Sequence, residues 1–217
     1  MRGKYIVIEG TDSSGKDTQS ELLYKKLIEK GIKAVKISFP MYDTPTGKVV
    51  KSYLKDLFPE GSVNVDPRIA CLYYAADRKY NMEKAVDYYN QGYYVILDRY
   101  TTSNLAHQGS KISDSDERFN MYQWIDKLEY WLLELPKPDI TILLHVPVLY
   151  TLELMKERDD LDSHEKDINY LKKCEESYLE LAGLYNWKKI ECVLDNHMKS
   201  VREINEEILD IILKEAK

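Results

Sequence analysis

Apolar residues along this chain of 217 residues alternate between short continuous runs and stretches where they recur every three or four positions. Lys4–Glu9, Ala34–Phe39, Tyr93–Leu97, Ile140–Val146 and Ile190–Leu194 are runs of the first kind and predict strands. The stretches between them read as helices. After Lys16, the pairs Leu23 with Leu27 and Tyr24 with Ile28 share faces at four-residue spacing, and Gly31 supplies a stop. Asp66-Pro67 predicts a helix start, with the helix running through Ala70, Tyr73, Tyr74 and Ala76 towards Tyr89 and ending at Gly92. A further helix begins at Asp114 or Ser115 and stops before Pro136, and a last one fills Ser200 to Glu215. Strands alternating with helices predict an α/β fold with a central parallel five-stranded sheet and helices on both faces. Right-handed crossovers would then gather the functional loops at the carboxyl ends of the strands.

The junction after the first strand adds chemistry. Gly10-Thr11-Asp12-Ser13-Ser14-Gly15-Lys16 follows Tyr5-Ile6-Val7-Ile8 directly and opens into a helical pattern. Glycine, four residues, then Gly-Lys is the spacing of a phosphate-binding loop. Its backbone N–H groups turn inward to phosphate oxygens, and its lysine reaches the outer phosphates. The helix behind it offers its unsatisfied N–H groups and positive dipole end to the same anion. The strand before and the helix after distinguish this from an ordinary glycine-rich turn. The expected fold is therefore a P-loop NTPase-type three-layer sandwich over residues 1–217, binding a nucleotide. Asp17 stands where a Ser or Thr that ligates Mg²⁺ is usual. Its carboxylate either holds the metal, with or without an intervening water, or turns away as an acidic residue of the first helical turn.

Two further groups of residues carry candidate chemistry. Asp98-Arg99 ends the third strand run, where the carboxylate can organise Mg²⁺ and the guanidinium can fork onto a phosphate. A plain salt bridge at a strand end is the structural alternative. Tyr74 and Arg78 lie four apart on one helical face. They form either a base pocket or a core tyrosine beside a surface arginine. Residues 156–166, Lys-Glu-Arg-Asp-Asp-Leu-Asp-Ser-His-Glu-Lys, are almost all charged and read as a solvated loop or as a lid over phosphates.

Composition narrows the class. A hydrophobic content of 44% with 31% charged residues describes a soluble globular protein with one sizeable core. No run approaches a membrane span and no signal peptide is visible. Cys71, Cys174 and Cys192 lack metal-ligand spacing and read as reduced thiols, so a cytoplasmic protein is expected. The net charge of −6 argues against a nucleic-acid surface.

Taken together these elements resemble the thymidylate kinases, P-loop nucleoside monophosphate kinases, over nearly the whole chain. The resemblance rests on Glu9-Gly10-Thr11-Asp12 through Lys16-Asp17-Thr18-Gln19, on Phe39-Pro40, and on Ala76-Asp77-Arg78. Its most family-specific part is Asp98-Arg99-Tyr100, followed by Ser103 and Ala106-His107-Gln108-Gly109. It implies transfer of the ATP γ-phosphoryl group to dTMP, with Mg²⁺, in a homodimer, while charge and hydropathy argue against nucleic-acid and membrane partners. Gly10, Ser13, Ser14, Gly15, Lys16, Asp17 and Thr18 would then hold ATP, with Lys16 bridging the transferring phosphate and Thr18 on an inner one. Asp98 and Asp17 would serve the metal, and Arg99 would clamp the acceptor phosphate. Asp12 would contact the acceptor 3′-hydroxyl, Tyr74 would stack on the base and Arg78 would meet its edge. Phe39, Ser103, His107 and Gln108 would complete that pocket, and Arg158, with Lys166, would approach the phosphates from the lid.

The chain departs from the family pattern at four places. Asp17 replaces a hydroxyl, and His107 stands where Tyr or Phe is common, a position associated with rejecting a ribose 2′-hydroxyl. Met41-Tyr42 follows Phe39-Pro40 without the arginine of some relatives, and the P-loop has no arginine of its own. The alternatives are a broader nucleoside monophosphate or deoxynucleoside kinase on the same fold, or a nucleotide-binding protein with weak catalysis. On the sequence alone, Arg78→Ala should weaken acceptor binding and leave the fold untouched.

Overall fold

The computed structural model describes residues 3–55, 62–156, 165 and 167–215. Strands β1 (Lys4–Glu9), β2 (Ala34–Ser38), β3 (Tyr94–Asp98), β4 (Ile140–His145) and β5 (Lys188–Glu191) pair in parallel in the order β2-β3-β1-β4-β5. Among the described residues the connections contain α1 (Lys16–Glu29), α2 (Pro45–Leu54), α3 (Pro67–Asn81), α4 (Glu83–Asn90), α5 (Thr101–Gly109), α6 (Ser115–Asp126), α7 (Val148–Met155), α8 (Ile168–Leu184) and α9 (Val201–Glu215).

Alternation along β1 generates the layers. Ile6 and Ile8 join Leu23 and Leu27 of α1 and Ile204, Ile208 and Ile212 of α9 on one face. Tyr5 and Val7 face the other side, with Met82 and Ala85 and with Val95 and Leu97 of β3. Each such fully buried aliphatic side chain contributes about 1.5–3 kcal/mol, so the central strand is held firmly from both sides. No described helix is long and apolar enough to cross a membrane.

Three elements differ from their sequence-based outlines. The helix expected to run from Asp66 to Tyr89 is broken at Met82, which buries its side chain in the core and lets α4 lie along β3. The helix after Asp114 opens into a π-helical turn over Lys127–Leu132. The last strand lies earlier than expected, at Lys188–Glu191. Val193–Leu194 instead pairs with His197–Met198 in a hairpin, β6 and β7, because Asp195 and Asn196 both take the positive φ of a primed turn. The expected segment 156–166 lies outside the described residues except for Lys156 and Glu165.

At the carboxyl end of β4, His145 joins four elements. Its Nε2 meets Glu175 of α8 at 2.9 Å and its Nδ1 meets Glu191 of β5 at 2.5 Å, while Glu175 also accepts the Val148 N–H that opens α7. The bond to Glu175 outweighs burial and, with Glu191, raises the imidazole pKa above its usual 6.5. A raised histidine value stabilises the fold fully below the unfolded pKa of about 6.5. That contribution disappears as pH rises through the folded value. Wild type should therefore lose melting temperature above about pH 6.5 where His145→Gln does not, and parallel melting profiles for the two proteins would refute this.

Candidate functional site

The P-loop is shaped by contacts that only glycine permits. A Cβ on Gly10 would lie 2.5 Å from Ser14 Oγ and 2.7 Å from the Leu144 carbonyl oxygen, and Gly15 caps α1 at a φ of 82°. Ser13, although not glycine, also takes a positive φ of 59°. Lys16 is 6% exposed, and its ammonium donates to the Thr11 carbonyl at 2.6 Å. Burial, and then the charge of Arg99, lower its pKa to about 8.

At the end of β3, parallel pairing sets Ile8 beside Asp98, and the Arg99 N–H donates to the Ile8 carbonyl at 3.3 Å. Arg99 holds a φ of 63°, an uncommon conformation for a long side chain that functional sites often retain. Its guanidinium pairs with Asp12 of the P-loop and lies 3.2 Å from His107 Nε2. Arginine only donates, so His107 Nε2 accepts and Nδ1 carries the proton towards Tyr170 Oη, 2.9 Å away.

Behind Arg99 lies Glu9, fully buried at the last position of β1. Its carboxylate accepts from the Tyr100 N–H at 3.2 Å, Thr102 Oγ1 at 2.6 Å, Ser103 Oγ at 2.8 and 2.9 Å, and Tyr178 Oη at 2.9 Å. Uncharged donors thus pin the start of α5 and the middle of α8 to the strand that carries the P-loop.

Two clefts meet here. A groove over the P-loop is lined by residues 13–19, Ser38, Asp98, Met198 and Lys199. Beside it, a cleft with about 690 Å³ of empty space is lined by Phe39, Tyr74, Arg78, Asn104, His107 and Gln108. Asp12, Phe39, Pro40, Tyr42 and Arg99 belong to both. Tyr74 stands edge-on to Tyr53, with ring centres 5.9 Å apart. Gln108 is 2% exposed, and its Oε1 has no hydrogen-bond partner. The wall formed by Phe39 to Gly47 is tied down by buried Asp77, which accepts from the Met41 N–H at 2.9 Å, Thr46 Oγ1 at 3.1 Å and Asn81 Nδ2 at 2.8 Å.

The sequence profile of the thymidylate kinase family matches residues 8–208. The chain belongs to the thymidylate kinase family. It is similar to a probable thymidylate kinase of Pyrococcus abyssi, 32% identical over 99% of this chain and 98% of the relative. A thymidylate kinase of Prochlorococcus marinus is 33% identical over 98% and 99% of the two chains. Among solved structures, the thymidylate kinase of Candida albicans superposes with a TM-score of 0.73 at 28% identity, covering 98% of this chain and 92% of that one.

Within this thymidylate kinase fold, most residues singled out from sequence line the two clefts, and three of them have a protein partner that the sequence did not show. Asp17 directs its carboxylate, 82% exposed, to Lys36 Nζ at 2.5 Å. Of its two readings the geometry favours the outward acidic residue over the metal ligand. Ser103 gives its hydroxyl to Glu9 and so acts as a support for Arg99. Arg78 reaches the cleft but is also locked to a buried carboxylate, Glu129 of the π turn, with both side chains at most 3% exposed. Its removal is therefore expected to cost stability as well as acceptor binding, because it would leave a buried carboxylate without its cation. Arg158 and Lys166 lie outside the described residues. Sequence reasoning had no role for Glu129, Asn104, Tyr170 or Tyr178, and it used Glu9 only as part of a motif. A carboxylate closing an otherwise apolar strand was the one available signal for Glu9.

Proposed function

We propose that the protein transfers the γ-phosphoryl group of ATP to dTMP, yielding ADP and dTDP. The observation that carries this is the meeting of a P-loop groove and a second cleft, lined by aromatic and amide side chains, at one arginine, Arg99. In the donor groove, the backbone of Gly10 to Gly15, the Ser13 and Ser14 region and Thr18 cradle ATP. Lys16 leaves the Thr11 carbonyl to bridge the moving phosphoryl group. In the acceptor cleft, Arg99 holds the dTMP phosphate, Asp12 meets the 3′-hydroxyl, and Tyr74 and Phe39 sandwich the base. Arg78 donates to a base carbonyl while Gln108 Oε1, which has no protein partner, accepts from the neighbouring ring N–H, a pairing that fits the thymine edge. His107 closes the sugar side. An oxygen of the acceptor phosphate attacks the γ-phosphorus, ADP leaves, and no protein nucleophile is needed, so positioning and charge neutralisation carry the rate. Arg158 and Lys166 are proposed to add positive charge from a lid.

Mg²⁺ fits the donor groove. Asp98 faces it beside Ser38 Oγ at 3.5 Å, with Thr18 on the same groove. Among the described residues no three His, Cys, Asp or Glu side chains converge on one point. That accords with an ion held by one carboxylate and the nucleotide's own phosphates. When bound, the ion neutralises charge on the β- and γ-phosphates.

A homodimer is supported by the apolar side chains left exposed on α3 and α6, Ile69, Leu72 and Phe119. These helices adjoin, with the Arg68 guanidinium 5.9 Å from the Trp124 ring centre. Buried free thiols at Cys71, Cys174 and Cys192 accord with a reducing, cytoplasmic setting. The direct test of function is ADP release with ATP and Mg²⁺ across dTMP, dUMP, UMP, dCMP, dGMP and AMP. Turnover strongest on dTMP, with dUMP weaker, is expected. Equal turnover on ribonucleotides and purines would refute thymidylate selectivity, and silence on all six would refute the kinase.

A further inference from the structure

Two polar side chains at the base end of the acceptor cleft share one hidden partner. Arg78 donates through Nε to Glu129 Oε2 at 2.8 Å and through Nη2 to Oε1, and Asn104 Nδ2 donates to the same Oε1 at 2.7 Å. Glu129 is fully buried, on the π-helical turn at Lys127–Leu132, and Arg78 is 3% exposed. A π turn adds a residue to the helical repeat and re-aims the side chains within it, which is why such turns collect at functional sites. Stability does not account for the arrangement, because a buried ion pair is often no better than an apolar pair of similar volume. Geometry does. Five N–H donors radiate from a guanidinium in one plane. Two engage Glu129, so the plane is fixed and the remaining donors have set directions. Tyr130, the next residue of the turn, anchors it further through its hydroxyl contact with Thr101 at the start of α5.

We infer that Glu129 is a specificity-determining positioning residue: it fixes Arg78, and with it Asn104, so that the outward guanidinium N–H groups select the base of the acceptor. The inference rests on the base-pocket reading of Arg78. It also explains how one cleft can hold two arginines with different tasks. The charge of Arg78 is matched by a carboxylate sealed from solvent. Asp12, the partner of Arg99, is 17% exposed and lies at the junction with the donor groove. The acceptor phosphate is thereby directed to the Arg99 end and the base to the Arg78 end.

The test is a double-mutant cycle on the full-length protein, with Glu129→Gln, Arg78→Met and the double variant, read as KM and kcat for dTMP, dCMP and ATP. Glu129→Gln should raise the dTMP KM about tenfold or more, which corresponds to roughly 1.4 kcal/mol. The change in kcat should be smaller, the ATP KM unchanged and the preference for dTMP over dCMP narrowed. In the Arg78→Met background the same change should add almost nothing, since residues acting through one contact are not additive. An unchanged dTMP KM and preference in Glu129→Gln, or an equal loss in both backgrounds, overturns the inference. Should Glu129→Gln fail to fold, Glu129→Asp keeps the charge but shortens the reach, and the same cycle applies. Binding of 2-deoxyribose 5-phosphate, which has no base, supplies an independent readout. It should be indifferent to either substitution, and weakening in parallel with dTMP would mean general disruption and sink the proposal. If Arg78→Met itself leaves the dTMP KM unchanged, the base-pocket reading fails. If Arg78→Met raises KM while Glu129→Gln does not, only the role of Glu129 fails.

Discussion

Lys16→Ala should lower turnover by roughly 10²–10³-fold or more while the protein melts close to the wild-type temperature. The side chain is buried, yet its ammonium is held only within the loop, by the Thr11 carbonyl and, at 3.5 Å, by Ser14 Oγ, and packs into no apolar cluster. Removing it therefore costs the reaction far more than the fold. The electrostatic setting sharpens the expectation. Burial and Arg99 hold the Lys16 pKa near 8, so a measurable fraction is neutral at mildly alkaline pH. Bound polyphosphate must draw a proton back onto it. kcat/KM for ATP should accordingly decline as pH rises through about 8. A variant with near-normal turnover, or a flat alkaline profile, would remove Lys16 from the phosphate site.

Arg78→Ala carries the second large effect, and it is one of stability as well as affinity. Glu129 has no exposure, and the substitution would strand its carboxylate beside Asn104 alone. Breaking a buried pair by deleting one partner typically costs about 3–5 kcal/mol, a large fraction of the about 5–15 kcal/mol by which domains are stable. Denaturant melts should show this loss. The double variant Arg78→Met/Glu129→Met, which replaces both charges by apolar groups of similar length, should recover most of the stability but not the acceptor affinity. A fully stable Arg78→Ala would mean that water reaches Glu129 and that the pair is not sealed.

What could be read from the chain and what could not divides along physical lines. β1, β3 and β4 were visible because buried parallel strands are continuous apolar runs, β2, an edge strand interrupted by Lys36, through its shorter apolar pattern, and the P-loop because its glycines are required by close backbone approach at Gly10. α5 was invisible as a helix. Its sequence, Thr-Thr-Ser-Asn-Leu-Ala-His-Gln-Gly, is buried almost throughout, with Thr102, Ser103, Asn104 and His107 bonded to Glu9, Glu129 and Tyr170, so no apolar period marks one face. Glu129 failed for a related reason. Between Leu128 and Tyr130 a glutamate reads as the solvent side of a helix, and only the partner on α3 shows that it points inward. The spacing of Arg78 to Tyr74 left a base pocket and a surface arginine both readable, because helical spacing says nothing about what lies on the far side of a guanidinium; Arg78 lines the cleft. The primed turn at Asp195-Asn196 was a legible signal and explains the displaced end of the sheet.

The strand order has a consequence for how the chain assembles during synthesis. β1 comes first in the chain and sits at the centre of the sheet, with Lys4 opposite Tyr94 on one side and Ile6 opposite Ile140 on the other. The P-loop strand therefore leaves the ribosome long before either of its neighbours exists. Its first lateral partner arrives only with β3 and its second only with β4. Non-local pairing of this kind is slow and leaves apolar edges uncovered in the interim. The nucleotide-binding loop consequently matures late although it is encoded early, and a nascent chain halted before residue 140 would carry the whole motif with one side of its strand still bare.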